Sequence, residues 1–374
     1  MKGRAPFSSR PRESTSSEEA SSTSRSPPIF SFSRNLVSFS GKAMVEEKPT
    51  MHAVWYECYG GGAAGLKHVN IPVPAPKKDE VLVKLEAIGI NPYDWKVQQG
   101  QLKPFLPRKF PMIPANDVTG EVVKVGPAVE KFKPGDKVVA VLNPMTGGGF
   151  AEFAIAKESQ TVARPPEVSA PDGAGLPVAG LTALQALTQV AGLKLDGSGP
   201  LKNILVTAAS GGVGHYTVQL AKLGNTHVTA TCGARNVDFV KSLGADEVLD
   251  YRTPEGAALK SPSGKKYDFV IHCALGFPWS VFEPNLSARG KVIDLSAGLK
   301  TMMTYSLQKL TFSKKLLVPM VLSPKGKNLE ILVKLVKEGK LKTFIDSKCP
   351  LSKVEDAWAK SISGCATGKI IVEP

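Results

Sequence analysis

Apolar and polar positions follow two different periods along the chain. From Met51, His52–Tyr56, Leu66–Val73 and Glu80–Ile90 carry short β-type runs, broken by Gly60-Gly61-Gly62 and the prolines of Pro72–Pro76. No element is assigned to NPYDWKVQQG (Asn91–Gly100), and a proline-rich loop continues through Pro114. Asp117–Val125 and Lys137–Val141 are further strands, the second entered by the turn Lys133-Pro134-Gly135-Asp136. Many short strands at close spacing predict a compact antiparallel, barrel-like domain. After Ala151–Val162 the period changes, and Leu176–Leu187 reads as a helix. Strands Ile204–Ala208, His227–Cys232, Glu247–Tyr251, Tyr267–Ala274 and Lys291–Leu295 then alternate with helices that include Val237–Leu243 and Trp279–Leu286. Near-continuous apolar strands in βα units predict a parallel sheet covered on both faces. Leu329–Lys337 is amphipathic, Val354–Ile362 is helical, and Lys369–Val372 is a last strand. The fold class is therefore α/β, a β-rich domain plus a doubly wound parallel sheet.

One unit in this pattern carries chemistry. The run Ile204–Ala208 stops abruptly at Ala209-Ser210-Gly211-Gly212-Val213-Gly214, and a helical pattern with Val218, Leu220, Ala221 and Leu223 on its apolar side follows at once. Strand, glycine turn and helix is the order a dinucleotide phosphate site needs. Gly211 and Gly212 let the backbone approach a pyrophosphate, Gly214 lets the helix pack close to the strand, and the helix N-terminus faces the phosphates. Ala209 takes the place of the first glycine of a strict G-x-G-x-x-G. The plain alternative is a structural strand–helix turn.

The residue that chooses the cofactor lies at the end of the next strand. Sites that prefer NAD carry an Asp or Glu there to bind the ribose hydroxyls. Here the stretch is Thr231-Cys232-Gly233-Ala234-Arg235-Asn236, with no acid before Asp238. Arg235 suits a 2′-phosphate through a forked, charge-assisted contact, which points to NADPH. Its alternative is a solvent-facing residue that opens the next helix.

Composition narrows the class of protein. A chain of 374 residues suits two domains, and its 42% hydrophobic and 21% charged residues are ordinary for a globular protein. The longest apolar run in the C-terminal half, Leu316–Leu322, is interrupted by Pro319 and too short to span a membrane. Residues 1–43 hold thirteen serines, seven basic residues and three acidic ones, and cannot bury a core. Arginine and serine there fit an organelle targeting segment; Glu13, Glu18 and Glu19 fit it poorly, and a plain disordered tail or a start at Met44 are the alternatives. The formal charge of +14 admits nucleic acid, an anionic membrane face or an acidic cofactor. Basic residues are spread rather than interleaved with aromatics, so no nucleic-acid partner is expected. The cysteines Cys58, Cys232, Cys273, Cys349 and Cys365 show no paired spacing, which fits a reducing compartment.

Taken together, NPYDWKVQQG, IPANDVTGEVVKVG, KPGDKV, LPVAGLTALQAL, AASGGVGHYTVQLAK, LGADEVLDY and TGKIIVEP resemble the medium-chain dehydrogenase/reductase superfamily, in its zinc-free quinone oxidoreductase and enone reductase branch. The resemblance covers about Met51–Pro374. It implies a GroES-like β-rich catalytic domain at 51–175, a Rossmann NADPH-binding domain at 176–322, and a segment 323–374 that returns to the catalytic domain, after an extension at 1–50. The active site would lie in the cleft between the domains. Zinc relatives carry a Cys near Asp94, a Gly-His-Glu run near Asn116-Asp117 and a four-cysteine lobe; this chain has none of these, so no metal is expected. His215 reads as a packing residue.

The implied reaction is hydride delivery from NADPH to the activated double bond of an α,β-unsaturated carbonyl or to a quinone. Asn91, Tyr93, Asp94 and Lys96 fall on the catalytic-domain loop expected beside the nicotinamide. Lys96 or Tyr93 is the candidate oxyanion donor, while Asn91 and Asp94 position the loop. A loop salt bridge between Asp94 and Lys96 is the alternative. By resemblance, Thr182 meets the nicotinamide end, Tyr251 closes over the adenosine ribose or phosphate, and Ala274 and Leu295 line the groove. Lys300–Leu322 mixes lysines with large apolar residues and fits an anionic membrane surface, a cleft wall or a homodimer contact. The resemblance further implies the chloroplast, at the inner envelope as a peripheral protein, with the cytoplasm as alternative. The competing function is an NADPH-binding membrane-associated or RNA-binding protein with little turnover.

Overall fold

Strands β1 (Thr50–Trp55) and β2 (Lys67–Pro72) pair as an antiparallel ribbon in the computed structural model, which describes residues 48–374 apart from 104, 105, 107, 108, 275 and 297. The serine-rich segment 1–43 and its targeting role lie outside the described residues. β3 (Glu80–Ile90), β4 (Asp117–Val125), β5 (Lys137–Val141), β6 (Phe153–Lys157) and β7 (Thr161–Ala163) build an antiparallel sheet around β3. β8 (Lys202–Val206), β9 (Thr226–Cys232), β10 (Glu247–Asp250), β11 (Tyr267–His272), β12 (Leu286–Asp294) and β13 (Leu316–Pro319) form a second sheet, ordered β10-β9-β8-β11-β12-β13. Every pair in it is parallel. β14 (Ile345–Pro350) and β15 (Lys369–Glu373) return to the first sheet, where Ile370, Ile371 and Val372 face Ile90, Gly89 and Ile88 of β3.

The order of the parallel sheet is the doubly wound one, with the strand order reversing between β8 and β11. Loops leaving the carboxyl ends of those two strands splay apart there and leave a crevice. Ile204, Val206, Val228, Ile271 and Ile293 fill the sheet's core with Val218 and Leu220 of the helix Gly214–Leu223. A separate core, with Val81, Val83, Ile88, Val118 and Trp358, supports the antiparallel sheet. The expected GroES-like domain and Rossmann sheet are both present.

Three local expectations change. NPYDWKVQQG is a helix over Pro92–Gln98, not a loop. Asn91 stands at its N-cap, Pro92 occupies the first turn, and the Asp94 carboxylate accepts the Asn91 N–H at 2.8 Å, which together start a helix that apolar periodicity alone does not reveal. The helix expected at Trp279–Leu286 ends at Phe282, and β12 already begins at Leu286. Lys300–Leu322, for which no element is expected, begins in a twelve-residue helix over Leu299–Leu310.

Candidate active site

The glycine turn leaves β8 at Val206, two residues earlier than the apolar run suggests. Ala208 adopts a left-handed backbone (φ 49°), so the reversal that glycine would make easily is made by alanine. Ala209 is buried, and its N–H bonds the Thr231 carbonyl of β9 at 2.8 Å. Gly214 opens the helix, where a Cβ would lie 2.3 Å from the Ala208 carbonyl oxygen. At Gly212 the nearest atom to such a Cβ is Lys369 Cδ at 3.5 Å, an ordinary contact, so a methyl fits there. His215 is fully buried under the turn. Its Nδ1 lies 2.9 Å from the Gly211 carbonyl, and burial pushes its pKa down to about 4, so the neutral ring donates from Nδ1.

Beside the turn lies a cavity of about 490 Å³. Ser210, Gly211, Gly233, Arg235, Asn236, Tyr251 and Ala274 line it, from four loops at the carboxyl ends of β8, β9, β10 and β11. Tyr251 lies against Gly233, where an added Cβ would meet the ring at 3.5 Å. The Arg235 guanidinium donates to the Cys365 carbonyl at 2.6 Å, and Thr367 donates to Asn236 Oδ1 at 3.2 Å, so the C-terminal segment forms the far wall. Thr182, Ala209, Gly212, Val213, Gly214 and Leu295 are not among the cavity walls. Thr182 turns its hydroxyl back to the Val178 carbonyl at 2.7 Å, and Leu295 packs on the sheet core. Sequence reasoning passed over Arg252, Phe277 and Gly364–Ala366, which complete the wall. Arg252 lies 5.4 Å from the Tyr251 ring centroid, and its adjacency to Tyr251 was its only signal. Nothing local to residues 364–366 marks them.

The second cluster is buried between the sheets. Asn91, Asp94, Asp117 and Lys369 are each nearly inaccessible. Lys369 Nζ donates to Asn91 Oδ1 at 2.6 Å and to the Ile90 carbonyl at 3.0 Å, and lies 3.4 Å from Asp117 Oδ2. Asn91 Nδ2 donates to Asp117 Oδ2 at 2.9 Å, and the Val178 N–H donates to Asp117 Oδ1 at 3.0 Å. Burial pushes the Asp117 carboxyl up against the opposing pull of Lys369, Asn91 and Val178. Burial likewise raises Asp94 to about 7. Lys369 also ties this cluster to the glycine turn, because the neighbouring Gly368 N–H bonds the Ser210 carbonyl at 2.8 Å.

Asp94 is thus taken up by the helix start rather than by a salt bridge to Lys96. The Tyr93 hydroxyl donates to the Pro144 carbonyl at 3.1 Å, and burial raises it to about 12. Lys96 is half-buried, 5.7 Å from the Trp95 ring centroid, and burial lowers its pKa. None of the four lines the cavity. Among the described residues, no group of three or more His, Cys, Asp or Glu side chains is placed to hold a metal.

Comparison with known proteins places this geometry in a family. Residues 77–166 match the alcohol dehydrogenase GroES-like domain, and residues 243–372 match the zinc-binding dehydrogenase family. The chain is 72% identical over 324 residues to the chloroplast envelope quinone oxidoreductase homolog of Arabidopsis thaliana, covering 87% of this chain and 98% of that protein. It is 34% identical to the Arabidopsis chloroplastic NADPH-dependent alkenal/one oxidoreductase, over 87% of this chain and 80% of that one. The quinone oxidoreductase structure from Coxiella burnetii superposes with a TM-score of 0.78 at 29% identity, over 87% of this chain and all of that one. The chain belongs to the medium-chain dehydrogenase/reductase superfamily, in its quinone oxidoreductase branch, and is a pyridine-nucleotide-dependent oxidoreductase of that type.

Proposed function

We propose that the chain is a zinc-independent, NADPH-dependent reductase that acts on the activated double bond of α,β-unsaturated carbonyls or on quinones. The observation that carries this is the adenosine end of the groove, where Arg235 and Arg252 line the wall and no carboxylate does. Two guanidinium groups suit a 2′-phosphate, which a carboxylate would repel. Ser210 and Gly211 face the same space and suit the pyrophosphate. NADPH held there supplies the hydride.

Zinc does not suit the buried donor set. The Lys369 ammonium stands against Asn91 and Asp117, and a dication beside it would meet strong repulsion in a dry site. A substrate whose double bond is already polarised needs only a hydrogen-bond donor at its developing oxyanion. Lys96, which burial makes a readier proton donor, and Tyr93, on giving up the Pro144 carbonyl, are the residues for that task. Asn91 and Asp94 hold the start of the helix that carries both. The chloroplastic relatives support a chloroplast location. The lysines and apolar side chains of Lys300–Leu322 support a peripheral contact with an anionic membrane surface, such as the inner envelope.

Oxidation of NADPH in the presence of enones, reactive aldehydes and quinones tests the proposal. Turnover with an enone or quinone, unchanged by a zinc chelator, is expected. Loss of turnover on chelation would overturn metal independence. Tight NADPH binding without turnover on any acceptor would overturn the enzyme.

A further inference from the structure

The helix Leu299–Leu310 is built inside out. Its buried side is polar: the Thr301 hydroxyl donates to Asp294 at 2.6 Å, and the Gln308 side-chain oxygen accepts the Leu317 N–H at 2.7 Å. Leu299, Met302, Met303, Leu307 and Leu310 share the opposite side, since residues three, four, eight and eleven apart return to one stripe. Leu299, Met303, Leu307 and Leu310 are 79%, 65%, 61% and 77% exposed. A surface helix normally buries that stripe and wets the polar one. Among the described residues nothing covers it, and contiguous apolar surface of this kind marks an interaction site.

Charge identifies what covers it. At about 100° per residue, Lys300 and Lys309 fall on the two borders of the stripe, and both are exposed. Six lysines and no acidic residue lie between Asp294 and Glu330. A second copy seated on the stripe would bring these lysines against its own. Anionic phospholipid headgroups meet them with opposite charge, while the stripe enters the acyl boundary and the lysine stems snorkel outward. Phe312, 91% exposed, follows the helix and adds apolar surface.

We propose that Leu299–Leu310 lies in the interface of an anionic lipid leaflet, with its apolar stripe in the acyl boundary and Lys300 and Lys309 among the headgroups. The assignment rests on the membrane contact proposed above and gives that contact a surface. Vesicle flotation of the full chain on phosphatidylcholine, with and without phosphatidylglycerol, tests both. The unaltered protein is expected to float only with phosphatidylglycerol present. Met303→Asp with Leu307→Asp should weaken flotation about tenfold or more, through lost apolar burial and charge repulsion. Lys300→Gln with Lys309→Gln should weaken it about tenfold and remove much of its salt dependence. All four side chains are exposed, so folding and NADPH affinity should hold in both variants. If the unaltered protein ignores anionic vesicles, the membrane contact itself falls. If it floats and both variants float equally well, only the helix assignment falls. If the aspartate pair splits a dimer in sedimentation while flotation persists, the stripe is a contact between copies.

Discussion

At the scale of single side chains, the proposed NADPH preference rests on Arg235 and Arg252 in the cavity wall, and each makes a contact that NADPH would have to remodel or share. Arg235 gives one N–H to the Cys365 carbonyl, which holds its fork over the cavity, and Arg252 lies over Tyr251. A charged hydrogen bond contributes about 1.5–3 kcal/mol. Arg235→Asp should therefore raise the Michaelis constant for NADPH by about tenfold or more and leave that for NADH within a few-fold. Steady-state kinetics with both nucleotides reads this directly. An unchanged NADPH value would remove the arginine from the site.

Asp94 makes a second prediction at this scale. Burial raises its folded pKa from the ordinary 3.8 to about 7. The folded protein then holds a proton that the unfolded chain has released, so this group's contribution to stability is fully present below about 4 and is lost as pH rises through about 7. Asp94→Asn keeps an acceptor for the Asn91 N–H without a charge. Its thermal midpoint should gain on the unaltered protein steadily across that window, and a constant gap between the two would show that Asp94 does not titrate there.

Helices and turns show where the sequence was readable. The glycine turn stood out because strand, turn and helix each have a local signature, and all three agree. Two of its glycines serve different ends. Gly214→Ala would drive a Cβ to 2.3 Å from a carbonyl oxygen, so it should destabilise the fold by about 1–3 kcal/mol or more and abolish cofactor binding. Gly212→Ala meets nothing closer than 3.5 Å and stands outside the cavity wall, so it should fold normally and keep its nucleotide affinity. Thermal unfolding and nucleotide titration of the two variants separate these outcomes. The helices at Pro92–Gln98 and Leu299–Leu310 were missed for opposite reasons. The first is short and begins with a capping arrangement that was there to be read in Asn91, Pro92 and Asp94. The second has a clear period, but its apolar side faces outward, and a pattern of lysine and leucine does not say which side is buried.

At the scale of the molecule, Lys369 was legible only as part of a terminal strand. Its partners are Ile90, Asn91 and Asp117, brought together by pairing of β15 with β3 that no local pattern reports. The two-sheet architecture was legible because each sheet repeats its own period many times. Lys369→Met leaves Asp117 buried without its cation and should cost about 3–5 kcal/mol in urea unfolding. Adding Asp117→Asn should recover much of that loss, since position 117 then carries no unpaired charge. If the double variant is as unstable as the single one, the damage lies in packing rather than in the unpaired charge.

The pairing of β15 with β3 also bears on how the chain is made. Lys369 and Asp117 are 252 positions apart, and the whole parallel sheet is synthesised between them. A growing chain therefore carries Asn91 and Asp117 through that interval without their ammonium, and the Ile88–Ile90 end of β3 without its partner strand. Long-range pairing of this kind is slow and leaves strand edges exposed. The glycine turn waits as well, because Ser210 finds Gly368 only when β15 arrives. Assembly of the cavity beside the glycine turn and closure of the first sheet thus become one late event, and a chain arrested before Lys369 would expose an open sheet edge to chaperones and proteases.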